Sequence, residues 1–360
     1  MQRLCNPRRT YGMLSLLAVA MLGACGSGGD PSLADGEPIR FTIPAGASFS
    51  AVTDTLVARD LVSNALGFRL YARYKKLDRN VKPGVYETAP GQSWEALLEK
   101  LVRGDIIRMT VVVPEGWTLA QIVPRLAAVT GASADSLLTA LLAEDAGERY
   151  GVDGPTLEGY VYPATYTFPL GSGVETMLRS MVDRYRQVWT ETRLAAADSI
   201  GMSPREVVTL ASIVEKEARV WGERDTIAAV YRNRLRIGMP LQADPTVQYA
   251  RGEHETRLLF QHIDEVADHP YNTYRRTGLP PGPIASPSTG AIDAALHPAD
   301  VSFLYFVARP NGTHIFTRSL AEHNNAIQLV RRMAREAAAA REAGAATTGA
   351  GAGGAAASDQ

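Results

Sequence analysis

Apolar and polar positions alternate over Ile39-Arg40-Phe41-Thr42-Ile43, and Met109-Thr110-Val111-Val112-Val113 is a short β-rich run, so both predict strands. A phrase recurs around them: Ile43-Pro44-Ala45-Gly46-Ala47-Ser48-Phe49, then Ala89-Pro90-Gly91-Gln92-Ser93-Trp94, then Val113-Pro114-Glu115-Gly116-Trp117-Thr118-Leu119. In each, a Pro/Gly turn ends a β-like stretch, and Ser or Thr offers an N-cap to an amphipathic helical pattern. From about Val123 to Leu194 the pattern is largely helical, broken by the aromatic, proline-punctuated stretch Leu157–Pro169, which predicts strand or loop. Gly238 to Pro298 is rich in Pro, Gly, Tyr, Asn and Thr, an irregular segment of the kind that shapes a site. Phe303–Ala308 and His314–Thr317 predict a closing hairpin around Pro310-Asn311-Gly312, and a last helix follows from about Ser319 to Arg335.

The most informative helix starts at Ser203-Pro204-Arg205-Glu206. Ser203 can cap, Pro204 suits the first helical position, and Glu206 completes a capping box. At about 100° per residue, the apolar positions from Val207 to Ala218 fill a sector of about 220°, with Thr209, Lys216 and Arg205 on the opposite, polar side. Glu217 falls between Ile213 and Leu210, and Glu215 between Ala211 and Val208. The two carboxylates therefore lie inside the apolar sector on its two flanks, about 160° apart. They cannot readily pair with each other. Each needs another partner, such as Arg232, Arg234 or Arg275, or a desolvated site that raises its pKa. A carboxylic acid kept protonated near neutral pH is what glycosidic cleavage requires, because the leaving oxygen must receive a proton.

The ends of the chain differ from its body. Arg3, Arg8 and Arg9 precede the apolar run Met13–Leu22, about half the length a spanning helix needs, so it reads as a signal-peptide core. Leu22-Gly23-Ala24-Cys25 resembles a bacterial lipobox, which makes Cys25 the expected lipid anchor and residues 1–25 the leader. Residues 26–38 read as a flexible linker. Residues 336–360, nearly all Ala, Gly, Thr and Ser, begin as a fraying helix and are expected to end as a disordered tail.

Composition narrows the classes. Hydrophobic residues are 46% and charged residues 21%, as in an ordinary globular protein. With 37 Lys and Arg against 38 Asp and Glu, the formal net charge is -1, which argues against nucleic acid as a partner. Both cysteines, Cys5 and Cys25, lie in the leader, so the body has no thiolate for metal binding or nucleophilic attack. The six histidines include no HExxH-type pair.

Two resemblances add to this reading. The short strands with two intervening helices over residues 39–110 resemble a LysM-like module, the kind that docks on N-acetylated glycans. The run Leu210–Ala218, with Tyr231-Arg232-Asn233-Arg234-Leu235, Leu241–Tyr249, Tyr271-Asn272-Thr273-Tyr274, Gly278–Ile284, His297-Pro298-Ala299, Tyr305-Phe306-Val307, Gly312–Phe316 and His323-Asn324, resembles the endolytic murein transglycosylases, the YceG-like family. The match runs over about residues 38 to 335 with order and approximate spacing kept.

The resemblance implies an α+β fold: a small LysM-like module, then a mixed α+β catalytic domain over residues 111–335. It implies an enzyme, a lyase that cuts the bond between N-acetylmuramic acid and N-acetylglucosamine inside a peptidoglycan strand without water or cofactor. Its catalytic acid corresponds to Glu217. Gln242, Asp244, Tyr249, Tyr271, Asn272 and Tyr274 suit a sugar cleft, where rings stack on sugar faces and amides read N-acetyl groups. Glu158 is a further cleft acid by resemblance. The chain departs from the family at Pro163-Ala164-Thr165-Tyr166, where an aspartate usually stands in place of Ala164, and in its anchor, since many members have a transmembrane helix. The family implies action on nascent strands at the membrane beside peptidoglycan synthases. Two alternatives stay open: a glycan-binding scaffold without activity, and a hydrolase of the same bond.

Overall fold

In the computed structural model, which describes residues 37–253 and 258–351 with side chains to residue 339, the recurring phrase forms three turns of one kind. Gly46, Gly91 and Gly116 take left-handed φ angles of 74°, 77° and 70°, a conformation open to glycine at little cost. Ser48 Oγ then accepts from Ala51 N at 3.2 Å and Ser93 Oγ from Ala96 N at 3.3 Å, starting α1 (Phe49–Val57) and α3 (Trp94–Arg103). After the third turn, the Gln121 side chain accepts from Thr118 N at 3.0 Å at the start of α4 (Leu119–Thr130).

Among the described residues, those up to Thr110 together with Thr167–Ser172 form one compact unit, and Val111–Tyr166 with those from Gly173 onward form the other. In the first, β1 (Ile39–Ile43) and β2 (Gly84–Thr88) pair antiparallel, with Phe41 opposite Tyr86. Between them in sequence come α1 and α2 (Ala65–Tyr74). The alternation read at Ile39–Ile43 places Phe41 and Ile43 inward, against Leu56, Phe68, Tyr86, Leu97, Leu98 and Leu101. Tyr86 is wholly buried and its hydroxyl donates to Lys82 O at 2.6 Å, so the ring enters the core with its polar end satisfied.

The strand β3 (Arg108–Val113) pairs with β4 (Ala164–Pro169). In the second unit α4, α5 (Ala134–Leu141) and α6 (Ala146–Tyr150) are followed by α7 (Val174–Val188) and α8 (Glu191–Ser199). The centre is α9 (Pro204–Glu217), packed on α10 (Arg224–Arg236) and α13 (Thr289–Leu296). Val207, Leu210, Ala211, Ile213 and Val214 meet Ile227, Ala228, Tyr231, Ile292 and Leu296 there. Between α10 and α13 lie α11 (Asp244–Arg251) and α12 (Phe260–Glu265). The hairpin β5 (Tyr305–Ala308) and β6 (His314–Thr317) closes the unit, followed by α14 (Leu320–Gly351). Among the described residues, three two-stranded ribbons and many helices make a mixed helix-and-strand fold.

One expectation is altered. Thr209, placed on the polar side of α9, is only 2% exposed, because α9 is covered on that side too; its hydroxyl donates to Arg205 O at 2.8 Å. The last helix runs on to Gly351, over the stretch expected to begin as a fraying helix, since alanine is the strongest helix former. The first unit also takes Thr167–Ser172 from far along the chain. The leader, Cys25 and residues 352–360 lie outside the described residues. Among the described residues no helix is long and apolar enough to cross a membrane, and no group of His, Cys, Asp and Glu could hold a metal ion.

Candidate active site

The capping box read from the sequence is present: Ser203 Oγ accepts from Glu206 N at 3.3 Å, and Glu206 Oε2 accepts from Ser203 N at 2.8 Å. It fixes where α9 begins. The helix stops after Glu217, because Ala218 turns extended (φ -75°, ψ 104°). Glu215, Lys216 and Glu217 thus occupy the last turn and point in three directions around it.

Glu215 is locked into an ion pair. Arg224 Nη2 donates to its Oε1 at 2.8 Å, and both side chains are 7% exposed. Ser288 N and Oγ donate to Oε2 at 3.0 and 2.5 Å. Both oxygens are fully engaged. The expected partners Arg232, Arg234 and Arg275 all bond elsewhere.

Among the described residues, Glu217 has no such cation. The Tyr231 hydroxyl donates to its Oε1 at 2.9 Å, and the residue keeps a partial opening to solvent. Burial raises its pKa to about 7; the Tyr231 hydrogen bond works against this, Asp244 adds to it, and Arg234 and Arg219 lower it. The partial negative charge of the helix C-terminus also disfavours the carboxylate there. Arg234 is itself buried, with Nε on Leu304 O at 2.6 Å and Nη1 on Leu241 O at 2.6 Å, so its charge is fixed near Glu217 without a direct ion pair.

Asp244 is exposed at the start of α11, and the Tyr274 hydroxyl donates to it. Just before it Gln242 is exposed with a left-handed φ of 50°, its N bonded to Thr273 O at 3.0 Å. A non-glycine residue held in that region stores strain of the kind found at functional positions. Glu217, Tyr231, Arg234, Asp244 and Tyr274 form one electrostatic group.

A second group surrounds Lys216. Its Nζ donates to Gly116 O at 3.3 Å, and burial, its largest influence, lowers its pKa. It lies close enough to Glu158 to favour that group's charged form. Glu158 is 2% exposed; both oxygens accept from Leu119 N at 3.1 Å, at the first residue of α4, and Tyr249 bonds to it. Burial dominates and raises its pKa to about 8. Tyr249 and Tyr271 pack with ring centroids 4.8 Å apart, and burial pushes Tyr271 up to about 12.

Two of the expected sugar contacts are buried among protein groups. Asn272 is fully buried, with Nδ2 on Ile263 O at 2.9 Å and Val266 O at 3.0 Å, and Oδ1 accepting from Tyr274 N at 3.1 Å. Its amide shapes the loop that presents Tyr274. Glu158 is likewise buried, bonded to Leu119 N and Tyr249. Tyr231, Arg224 and Ser288, which hold the two acids, were not singled out as site residues. Tyr231 lies in the quoted Tyr-Arg-Asn-Arg run, and nothing local marks Ser288, 73 residues from Glu215.

The model of the YceG-like family matches residues 41–329. The endolytic murein transglycosylase of Bacillus subtilis is 34% identical over 304 residues, covering 80% of this chain and 83% of its own length. That of Streptococcus pneumoniae strain R6 is 31% identical over 328 residues, covering 79% of this chain and 58% of its own length. A solved YceG-like protein of Listeria monocytogenes is 34% identical, with a TM-score of 0.56 over 80% of this chain and 98% of that one. With a family model spanning most of its length, over the segments that carry Glu217, Tyr231 and Asp244, the chain belongs to the YceG-like family.

Proposed function

We propose that this protein is an endolytic peptidoglycan lytic transglycosylase, a lyase with Glu217 as its acid and base. The observation that carries the reading is a single carboxyl at the end of α9, raised to about 7, hydrogen-bonded by a tyrosine and free of any ion pair. Such a group is protonated often enough at neutral pH to donate, and is acidic enough to accept a proton afterwards. Glu217 gives its proton to the glycosidic oxygen as the bond from muramic acid C1 breaks. As carboxylate it takes the proton of the muramic C6 hydroxyl while that oxygen bonds to C1. The products are a free sugar 4-hydroxyl and a 1,6-anhydro end, and no water enters.

Tyr231 keeps the Glu217 carboxyl in one orientation. Asp244 and Tyr274 border the same position, Gln242 stands two residues before Asp244, and all three suit contacts to the sugars, with Asp244 able to stabilise positive charge on the reacting ring. The relatives' names, both murein transglycosylases, support the substrate. A murein substrate places the reaction outside the cytoplasm, in keeping with the leader and the anchor at Cys25 read from the sequence. The β–α–α–β order of the first unit, with β1 on β2, supports a LysM-like glycan-binding role. Action on nascent strands beside membrane-bound synthases follows from the family reading.

Mass spectrometry of digested sacculi tests this. New internal cuts ending in anhydromuramic acid are expected. Reducing ends would mean a hydrolase, with Asp244 as the second carboxylate, and absence of cuts would leave a binding protein.

A further inference from the structure

Of the four tryptophans, Trp94 is buried, Trp117 and Trp189 are half-buried, and Trp221 is 69% exposed. Trp221 opens the 3-10 turn Trp221–Glu223, four residues past Glu217. That separation keeps the two Cα atoms within about 14 Å. The indole is not loose. The Arg224 guanidinium lies over its ring, 4.1 Å from the centroid. Arg224 is itself 6% exposed and held by the Glu215 ion pair, which Ser288 anchors to the start of α13.

The result is a flat, apolar surface fixed from behind by a buried cation, with its remaining area open to solvent. Leaving an indole in water is unfavourable, and ordering it removes side-chain freedom as well. A ring that is exposed and already ordered binds a flat ligand without a further ordering cost. The faces of β-1,4-linked N-acetylated pyranoses carry axial C–H groups, a flat and weakly positive surface that suits the negative face of an indole. Glu115 and Gly116 flank the same end of α9, beside Glu215, so this side of the site is bordered by the third Pro/Gly turn.

We infer that Trp221 is a stacking platform for an N-acetylated sugar of the substrate strand, at a position other than the two joined by the cleaved bond. This rests on the glycan-cleaving reading of Glu217. Its consequence is length selectivity: strands long enough to reach from Glu217 to Trp221 bind better than short ones, with the gain in binding rather than in the chemical step.

The test uses the full chain and peptide-free glycan strands from digested sacculi. In the Glu217→Gln protein, titration with these strands shifts tryptophan emission to the blue, and the shift disappears when Trp221→Leu is added. In the active enzyme Trp221→Leu raises KM for long strands several-fold to about tenfold with kcat kept, and Trp221→Tyr restores part of the loss. Thermal unfolding shifts only slightly in both variants, since the ring is exposed and Arg224 keeps its ion pair with Glu215 when the indole is removed. An emission change that survives Trp221→Leu, or an unaltered KM, overturns the platform while leaving Glu217 in place. If the wild-type protein neither binds nor cuts the strands, the reading of Glu217 falls and the platform with it.

Discussion

Glu215 and Glu217 stand two residues apart on one helix, inside the same apolar sector, and their surroundings could hardly differ more. Around Glu215 every lone pair that matters is met: a guanidinium on one oxygen, a backbone N–H and a hydroxyl on the other. Around Glu217 there is one phenol, nearby charges of both signs, and a partial opening to solvent. A carboxylate held by three donors is committed to holding helix ends together. A carboxyl with one neutral donor and restricted solvent is open to taking up a proton. The chemistry of an acid on a helix is thus decided less by the helix than by which residues the rest of the fold brings to each flank.

The largest expected effect comes from removing the proton itself. Glu217→Gln should lower the rate of strand cleavage by about 10²–10⁴-fold, with the thermal midpoint unchanged or raised, because a partly buried acid without an ion pair is replaced by a neutral amide. Retained cleavage in that variant would move the acid elsewhere.

On the other flank the expected loss is in folding. Arg224→Met leaves Glu215 buried without its cation and should cost about 3–5 kcal/mol of stability, read by denaturant unfolding. Cleavage by the fraction that stays folded should fall far less than in Glu217→Gln. If the two variants lose activity equally while both stay folded, the division of labour between the flanks is wrong.

Tyr231→Phe is a finer probe. Its hydrogen bond favours the carboxylate, so removing it should raise the Glu217 pKa further. In the wild type, cleavage should decline as pH rises through about 7, because the donor is deprotonated above that value. In Tyr231→Phe this alkaline limb should move upward, with a lower maximum because the carboxyl is less well oriented. A limb that stays in place would separate Tyr231 from the acid.

A separate effect is expected on the pH dependence of stability. The pKa of Glu158 is about 8 in the folded protein against 4.5 when unfolded, so the folded state holds the extra proton between those values. Stability from this group is therefore full below about 4.5 and falls as pH rises towards 8. Glu158→Gln should flatten that decline in a series of unfolding curves.

Much of this architecture was legible locally. Ser203 and Glu206 announce the start of α9 because a capping box involves residues three apart, and Pro310-Asn311-Gly312 announces the β5–β6 hairpin for a similar reason. Spacing at about 100° per residue places both acids in the apolar sector, which is enough to make each a candidate. It could not choose between them from periodicity, since their partners come from other elements: Arg224 and Tyr231 from α10, Ser288 from the turn before α13. The burial of Thr209 was hidden for the same cause, because amphipathic patterning assumes one solvent-facing side and a central helix has none. Asn272 looked like a ligand-reading amide, and only the carbonyls of Ile263 and Val266 reveal that its hydrogen bonds are internal.

Ser288 has a kinetic side as well. Its hydroxyl accepts from Ala291 N at 3.2 Å as the cap of α13 and donates to Glu215, joining two helix ends across 73 residues of chain. The Glu215–Arg224 contact closes a short loop and can form early in folding, whereas the Ser288 contact must wait for a long segment to return. Ser288→Ala is therefore expected to hasten unfolding more than it slows refolding, so that the lifetime of the native state, rather than the speed of reaching it, hangs on that one hydroxyl.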